Sequence, residues 1–178
     1  MYVKTISATY IKKIDMGNYQ SVDLQVSAWA DTGSADLEES NRMLWKLVRA
    51  SVSQQAIRIS KEEKVEPMPP INADPAEYDP RRFFVKTISV KYSRKIKPDP
   101  TTYGLLTAEY ACFANLDPAD DLLKCLDAMW EMARQNIIAQ LKPVMLKQEV
   151  DLENAFLGLP ADIQSSYFES VANQESEE

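Results

Sequence analysis

Two stretches decide the fold: Tyr2-Val-Lys-Thr-Ile-Ser-Ala-Thr-Tyr-Ile-Lys-Lys-Ile14 and Phe84-Val-Lys-Thr-Ile-Ser-Val-Lys-Tyr-Ser-Arg-Lys-Ile96, one motif written twice at an offset of 82. The correspondence extends beyond them. After a two-residue insertion Tyr19 matches Tyr103 and the apolar run Val22 to Trp29 matches Leu106 to Phe113; one residue further on, Trp45 matches Trp130. The chain is therefore an internal duplication.

Within each copy the first segment alternates, Ile6, Ala8 and Tyr10 against Thr5, Ser7 and Thr9, the period of a half-buried strand. The second segment alternates too. Val22, Leu24, Val26 and Ala28 oppose Asp23, Gln25 and Ser27, and in the second copy Leu106, Ala108, Tyr110 and Cys112 oppose Thr107, Glu109 and Ala111. Each copy thus opens with a β-hairpin, turned by Asp15-Met-Gly-Asn18 in the first and by Pro98-Asp-Pro-Thr101 in the second. A helix follows. Asp36 with Glu39 reads as a capping box, and Asp117 with Pro118 at the first helical position opens the second helix. Leu37, Leu44, Leu47, Val48 and Val52 form one apolar stripe; Leu122, Met129, Met132, Ala133 and Ile137 form the other, which Pro143 is expected to stop.

A lone ββα unit buries too little to stand alone. The expected architecture is α+β: a tandem ββα repeat joined into a pseudo-twofold, four-stranded antiparallel sheet with two helices on one face. Residues 1–60 form the first repeat, 61–82 a linker holding Pro67, Pro69, Pro70, Pro75 and Pro80, 83–145 the second repeat, and 146–178 an acidic C-terminal segment, together one domain plus a tail.

Composition narrows the function. With 178 residues, 45% hydrophobic and 26% charged, the chain fits a globular domain, and 4 glycines exclude Gly-rich or collagen-like readings. There is no histidine, which removes Ser-His-Asp and Cys-His machinery and His-ligated metal sites. Cys112 and Cys125 are too few for a Cys-only zinc site and lack the Cys-x-x-Cys spacing; they read as reduced, buried thiols. No Walker loop, Gly-x-Gly-x-x-Gly or nucleophile elbow occurs. No enzyme, cofactor or metal is expected. No apolar run reaches a membrane span, and Met1 leads directly into Tyr-Val-Lys-Thr, so a cytoplasmic location is expected.

Charge is segregated. The 20 bases and 27 acids give a net charge of −7, yet residues 1–14 and 81–97 carry Lys4, Lys12, Lys13, Arg81, Arg82, Lys86, Lys91, Arg94, Lys95 and Lys97 without a single acid. By parity Lys13, Lys91 and Lys95 point to the Thr/Ser face of the sheet, with Lys12 and Arg94 at the strand end nearby. Tyr19 and Tyr103 lie just past the turns, and Trp29 and Phe113 at the far end of that face. Basic strands with aromatic platforms hold single-stranded nucleic acid by phosphate neutralisation and base stacking. The candidate interface is accordingly Lys12, Lys13, Tyr19, Trp29, Lys91, Arg94, Lys95, Tyr103 and Phe113. Strand-end lysines also serve simply as edge protection, and Tyr10, Tyr92, Trp45 and Trp130 read as core.

Residues 151–178 hold seven acids and no base, with Leu152, Phe156, Leu157, Leu159, Ile163, Tyr167 and Phe168 marking one or two short amphipathic helices broken at Gly158 and Pro160. In composition this segment resembles the acidic tails of viral and bacterial single-strand binders, a resemblance that implies a protein partner engaged through it. The stretch Lys13-Ile-Asp-Met-Gly-Asn-Tyr-Gln-Ser21, running on to Trp29-Ala-Asp31 and an acidic helix start, resembles short phage and prophage-encoded proteins with a Gly-Asn-Tyr-Glu-Ser-type turn. That resemblance covers the first copy only, implies a phage origin and assigns no site residue. The leading expectation is a non-enzymatic, phage-type single-stranded nucleic-acid-binding protein. The alternatives are an acidic protein-binding module, such as an inhibitor of a host protein that imitates DNA charge, and a structural or assembly protein that forms homo-oligomers through open sheet edges.

Overall fold

The computed structural model describes residues 3–32, 36–65, 78, 83–98 and 104–157, with side chains as far as residue 144. The order of elements is β1 (Thr5–Gly17), β2 (Gln20–Asp31), α1 (Leu37–Glu62), β3 (Phe84–Ile96), β4 (Leu106–Asn115) and α2 (Leu122–Leu157). The four strands make one antiparallel sheet in the order β1-β2-β3-β4. Contacts divide the chain into two compact units, Met1–Gln140 and Leu141–Glu178; the sheet and α1 belong to the first.

Alternation decides the faces. Even-numbered Val22, Leu24, Val26, Ala28 and Ala30 of β2 are buried, as are Ile88, Val90, Tyr92 and Ile96 of β3. Leu44, Val48, Val52 and Ala56 of α1, and Met129, Ala133 and Ile137 of α2, complete this core. Each fully buried Val, Leu or Ile contributes about 1.5–3 kcal/mol. An irregularity between Trp29 and Ala30 leaves Lys86 out of the β2–β3 register, its ammonium paired with Asp31, and carries odd-numbered Val85 onto the core face.

The first turn follows from its residues. Gly17 pairs with Gln20, so Asn18 and Tyr19 form a two-residue loop, both with positive φ (50° and 64°), the backbone that a type I′ hairpin turn requires. The Asp15 carboxylate accepts a 2.9 Å hydrogen bond from the Gly17 N–H. The second turn, at 99–103, lies outside the described residues, as do most of the linker and everything beyond Leu157. Tyr78, within the linker, accepts a 3.1 Å hydrogen bond on its hydroxyl from the Val85 N–H.

The α+β class, the four-stranded antiparallel sheet and the ββα repeat are as the sequence indicates, while the symmetry between copies differs. In the order β1-β2-β3-β4, β1 and β3 point the same way and present the same face to the helices. A twofold axis would reverse one of them, so the second copy is the first displaced sideways across the sheet. Asp36 caps α1 as expected, while both ends of α2 differ from expectation. Asp117 and Asp120 close a separate turn, and Asp121, whose carboxylate accepts from the Lys124 N–H, caps α2. Helix α2 runs through Pro143 instead of stopping there. Pro143 costs the helix one donor, but Ala139, Gln140, Leu141 and Lys142 before it and Met145, Leu146 and Lys147 after it are good helix formers. The helix is described as far as Leu157.

Candidate nucleic-acid interface

With the helices against the even-numbered residues, the odd-numbered residues of β1, β2 and β4 and their partners on β3 form the opposite face. Strand register arranges them in rows across β1, β2, β3 and β4: Ser7, Trp29, Thr87, Asn115; then Thr9, Ser27, Ser89, Phe113; then Ile11, Gln25, Lys91, Ala111; then Lys13, Asp23, Ser93, Glu109; then Asp15, Ser21, Lys95, Thr107. Hydroxyls dominate the centre. Ser21, Ser27, Ser89 and Ser93 are small enough to be buried among their neighbours, and Thr9 donates to the Ser27 hydroxyl at 2.8 Å while Thr87 donates to the Asn115 carbonyl oxygen at 3.0 Å.

This face gathers Lys13, Lys91 and Lys95 at the end nearer the β1–β2 turn. Strand geometry sets the three Cα positions at the corners of a triangle with sides of about 12 Å. Trp29 and Phe113 stand at the opposite end of the same face, Phe113 with 72% of its surface exposed, and Tyr19 projects from the turn at 79% exposed. Phe113 and Tyr19 are thus free to stack.

The remaining candidates lie elsewhere. Arg94 sits opposite Val22 on the helix side, where its guanidinium pairs with Glu63 at 2.9 Å and is largely buried. Its partner Glu63 adjoins Glu62 in the chain, which Arg58 holds at 3.2 Å and Arg134 in a two-pronged grip, while Arg58 also reaches Glu131 at 3.4 Å. Lys12 is likewise on the helix side, opposite Leu24. Tyr103 lies outside the described residues. Nearness in sequence groups Lys12 and Arg94 with Lys13 and Lys95, but a single-residue step in a strand reverses the face.

Register also reveals acids that charge segregation conceals. Asp23 lies directly opposite Lys13, Glu109 pairs with Lys91 at 2.8 Å, and Asp15 shares the row of Lys95. Their outward parity is visible in the sequence; their apposition to the lysines needs the register. The lysines of this face are therefore interspersed with carboxylates, Asp31 beside Thr5 among them.

Titration is perturbed on the helix side. Burial raises the Tyr92 phenol, against the lowering influence of Arg94 and Arg134. Burial also pushes up the thiols of Cys112 and Cys125, which are free and half-buried rather than fully buried as expected. Tyr92 and Trp130 are core residues, Tyr10 is half-buried, and Trp45, expected in the core, is exposed. Its ring lies under the Arg49 guanidinium, 5.9 Å from the centroid.

Among the described residues no group of three or more His, Cys, Asp or Glu is placed to hold a metal ion, and no helix is long and apolar enough to cross a membrane. Set against known proteins, the chain matches no family model, no curated protein and no solved structure, so its own geometry carries the functional reading.

Proposed function

We propose that the chain is a non-enzymatic binding protein of phage type that holds single-stranded nucleic acid on the face of the sheet opposite the helices. The observation that carries this reading is the convergence on that face of Lys13, Lys91 and Lys95 with Trp29 and Phe113, and Tyr19 at its edge. Phosphates bind at the lysine end and bases stack at the aromatic end. Lys12 and Arg94, on the helix side, take no part.

Fluorescence anisotropy with labelled oligo-dT and a matching duplex tests it. Three lysine contacts give a slope of about −2 in log K against log salt, and each Lys→Ala change removes about 0.7 of that slope. Phe113→Ala costs about 1–3 kcal/mol of binding through lost stacking. Unchanged affinity in a Lys13→Ala/Lys91→Ala/Lys95→Ala variant rejects the reading.

The carboxylates interspersed with the lysines on this face favour a second reading, a protein-binding module such as an inhibitor of a host protein. Asp36, Glu38 and Glu39 add an acidic patch at the start of α1. A partner engaged through these acids binds the triple lysine variant as well as the native chain, which separates the two readings.

A further inference from the structure

The duplication governs register as well as sequence. Strand β1 maps to β3 at an offset of 82 and β2 to β4 at an offset of 84. Under those offsets Ile14 opposite Val22 becomes Ile96 opposite Leu106, Tyr10 opposite Val26 becomes Tyr92 opposite Tyr110, and Ile6 opposite Ala30 becomes Ile88 opposite Ala114, all of them observed pairs. The two hairpins are one object placed twice.

Because the copies are related by sideways displacement, the two outer edges of the sheet are unlike and complementary. The free edge of β4 corresponds to the edge that β2 offers to β3; the free edge of β1 corresponds to the edge that β3 offers to β2. The seam that joins the two copies inside one chain is therefore a template for a seam between chains. We propose that this protein assembles head to tail, β4 of one chain pairing antiparallel with β1 of the next in the register that β2 uses with β3. That register sets Ala108 opposite Tyr10, Tyr110 opposite Ala8 and Cys112 opposite Ile6 of the next copy on the helix side, and Ala111 opposite Ser7 and Glu109 opposite Thr9 on the other. Both edges offer length for pairing, since β1 and β4 contain no proline and run for 13 and 10 residues, with Lys12 and Lys13 confined to the turn end of β1.

The helices supply an independent observation. Inside the chain Trp130 of α2 is only 2% exposed, and its indole N–H donates at 2.9 Å to the Ser51 hydroxyl of α1. Its counterpart Trp45 is 43% exposed. On α2 the counterparts of Ser51 and of buried Leu47 are Asn136 and Met132, and Met132 is 49% exposed. Trp45 on one outer flank, with Met132 and Asn136 on the other, repeat the two sides of the internal seam, both of them exposed and without a partner helix among the described residues. Asn136 donates to the Met132 carbonyl at 2.9 Å, which leaves its side-chain oxygen to accept from the Trp45 indole of the next chain. Such a heterologous contact yields rings or filaments rather than twofold dimers. The inference rests on the repeat and is independent of any ligand.

Sedimentation velocity on the native chain, combined with disulfide trapping, tests it. In a background with Cys112→Ala and Cys125→Ser, a Ser7→Cys chain is mixed with an Ala111→Cys chain under mild oxidation. Facing residues come within disulfide reach between chains, whereas β1 and β4 of one chain stand about 14 Å apart, beyond it. The expected result is a native species larger than the monomer and a covalent dimer from the mixture. Ser7→Cys with Thr107→Cys, four residues out of register, gives none. Trp45→Glu, an exposed position in the single chain, lowers the association constant by at least about tenfold while leaving the circular dichroism unchanged. A native chain that stays monomeric, or an assembly that the in-register pair fails to trap, overturns the proposal.

Discussion

Arg94 and Lys95 are neighbours with different work. Arg94 reaches the helix side and closes on Glu63, beside a second carboxylate, Glu62, that Arg58 and Arg134 hold. Lys95 stands on the opposite face, across from Ser21. Removing Arg94 leaves Glu63 partly buried and unpaired, so Arg94→Ala should cost about 2 kcal/mol in urea denaturation. Lys95→Ala should stay within about 0.5 kcal/mol, as surface changes do. The sequence shows both residues as part of one basic run, and only strand parity tells a structural cation from a surface one. Parity was legible for Lys13, Lys91 and Lys95. The partners were less so: Glu109 meets Lys91 through the β3–β4 register, a non-local pairing that no local pattern encodes.

At the scale of elements, alternation identified all four strands and the 3.6-residue spacing both helices, because burial imposes those periods directly. The ends were harder, since several residues compete for them. Near the start of α2, Asp117, Asp120 and Asp121 are all credible caps, and Pro118 favours the earliest. Asp120 is used instead to close a turn with Asp117, which leaves Asp121 as the cap. The hydrogen bond from the Lys124 N–H holds the Asp121 carboxyl below the usual carboxylate range. A group with a depressed folded-state pKa adds stability that is present above its unfolded value and lost as pH falls through the folded one. The first turn of α2 should therefore fray in acid, seen as falling amide protection at Lys124 and Cys125, each rate taken relative to the intrinsic rate at the same pH, as pH drops below about 4. In Asp121→Asn that pH dependence should disappear, because the side chain no longer titrates.

For the sheet as a whole, the duplication gives the same residue two environments. Ile6 and Ile88 occupy corresponding positions, and each faces an alanine, Ala30 and Ala114, in its own hairpin. Ile88 lies on an inner strand, with Ala28 on its other side, and is fully buried. Ile6 lies on an outer strand and is half-buried. Truncating a buried isoleucine to alanine costs about 2–5 kcal/mol through lost transfer energy and the cavity left behind. Ile88→Ala should fall in that range. Ile6→Ala in the single chain should cost less than half as much, because water already reaches part of its side chain and fills the space it vacates. Urea titrations of the two variants at low protein concentration measure the difference. Repeating them at concentrations where chains join β4 to β1 brings Cys112 of one chain against Ile6 of the next and places Ile6 on an inner strand. Its truncation penalty should then approach that of Ile88, while the penalty at Ile88 stays unchanged.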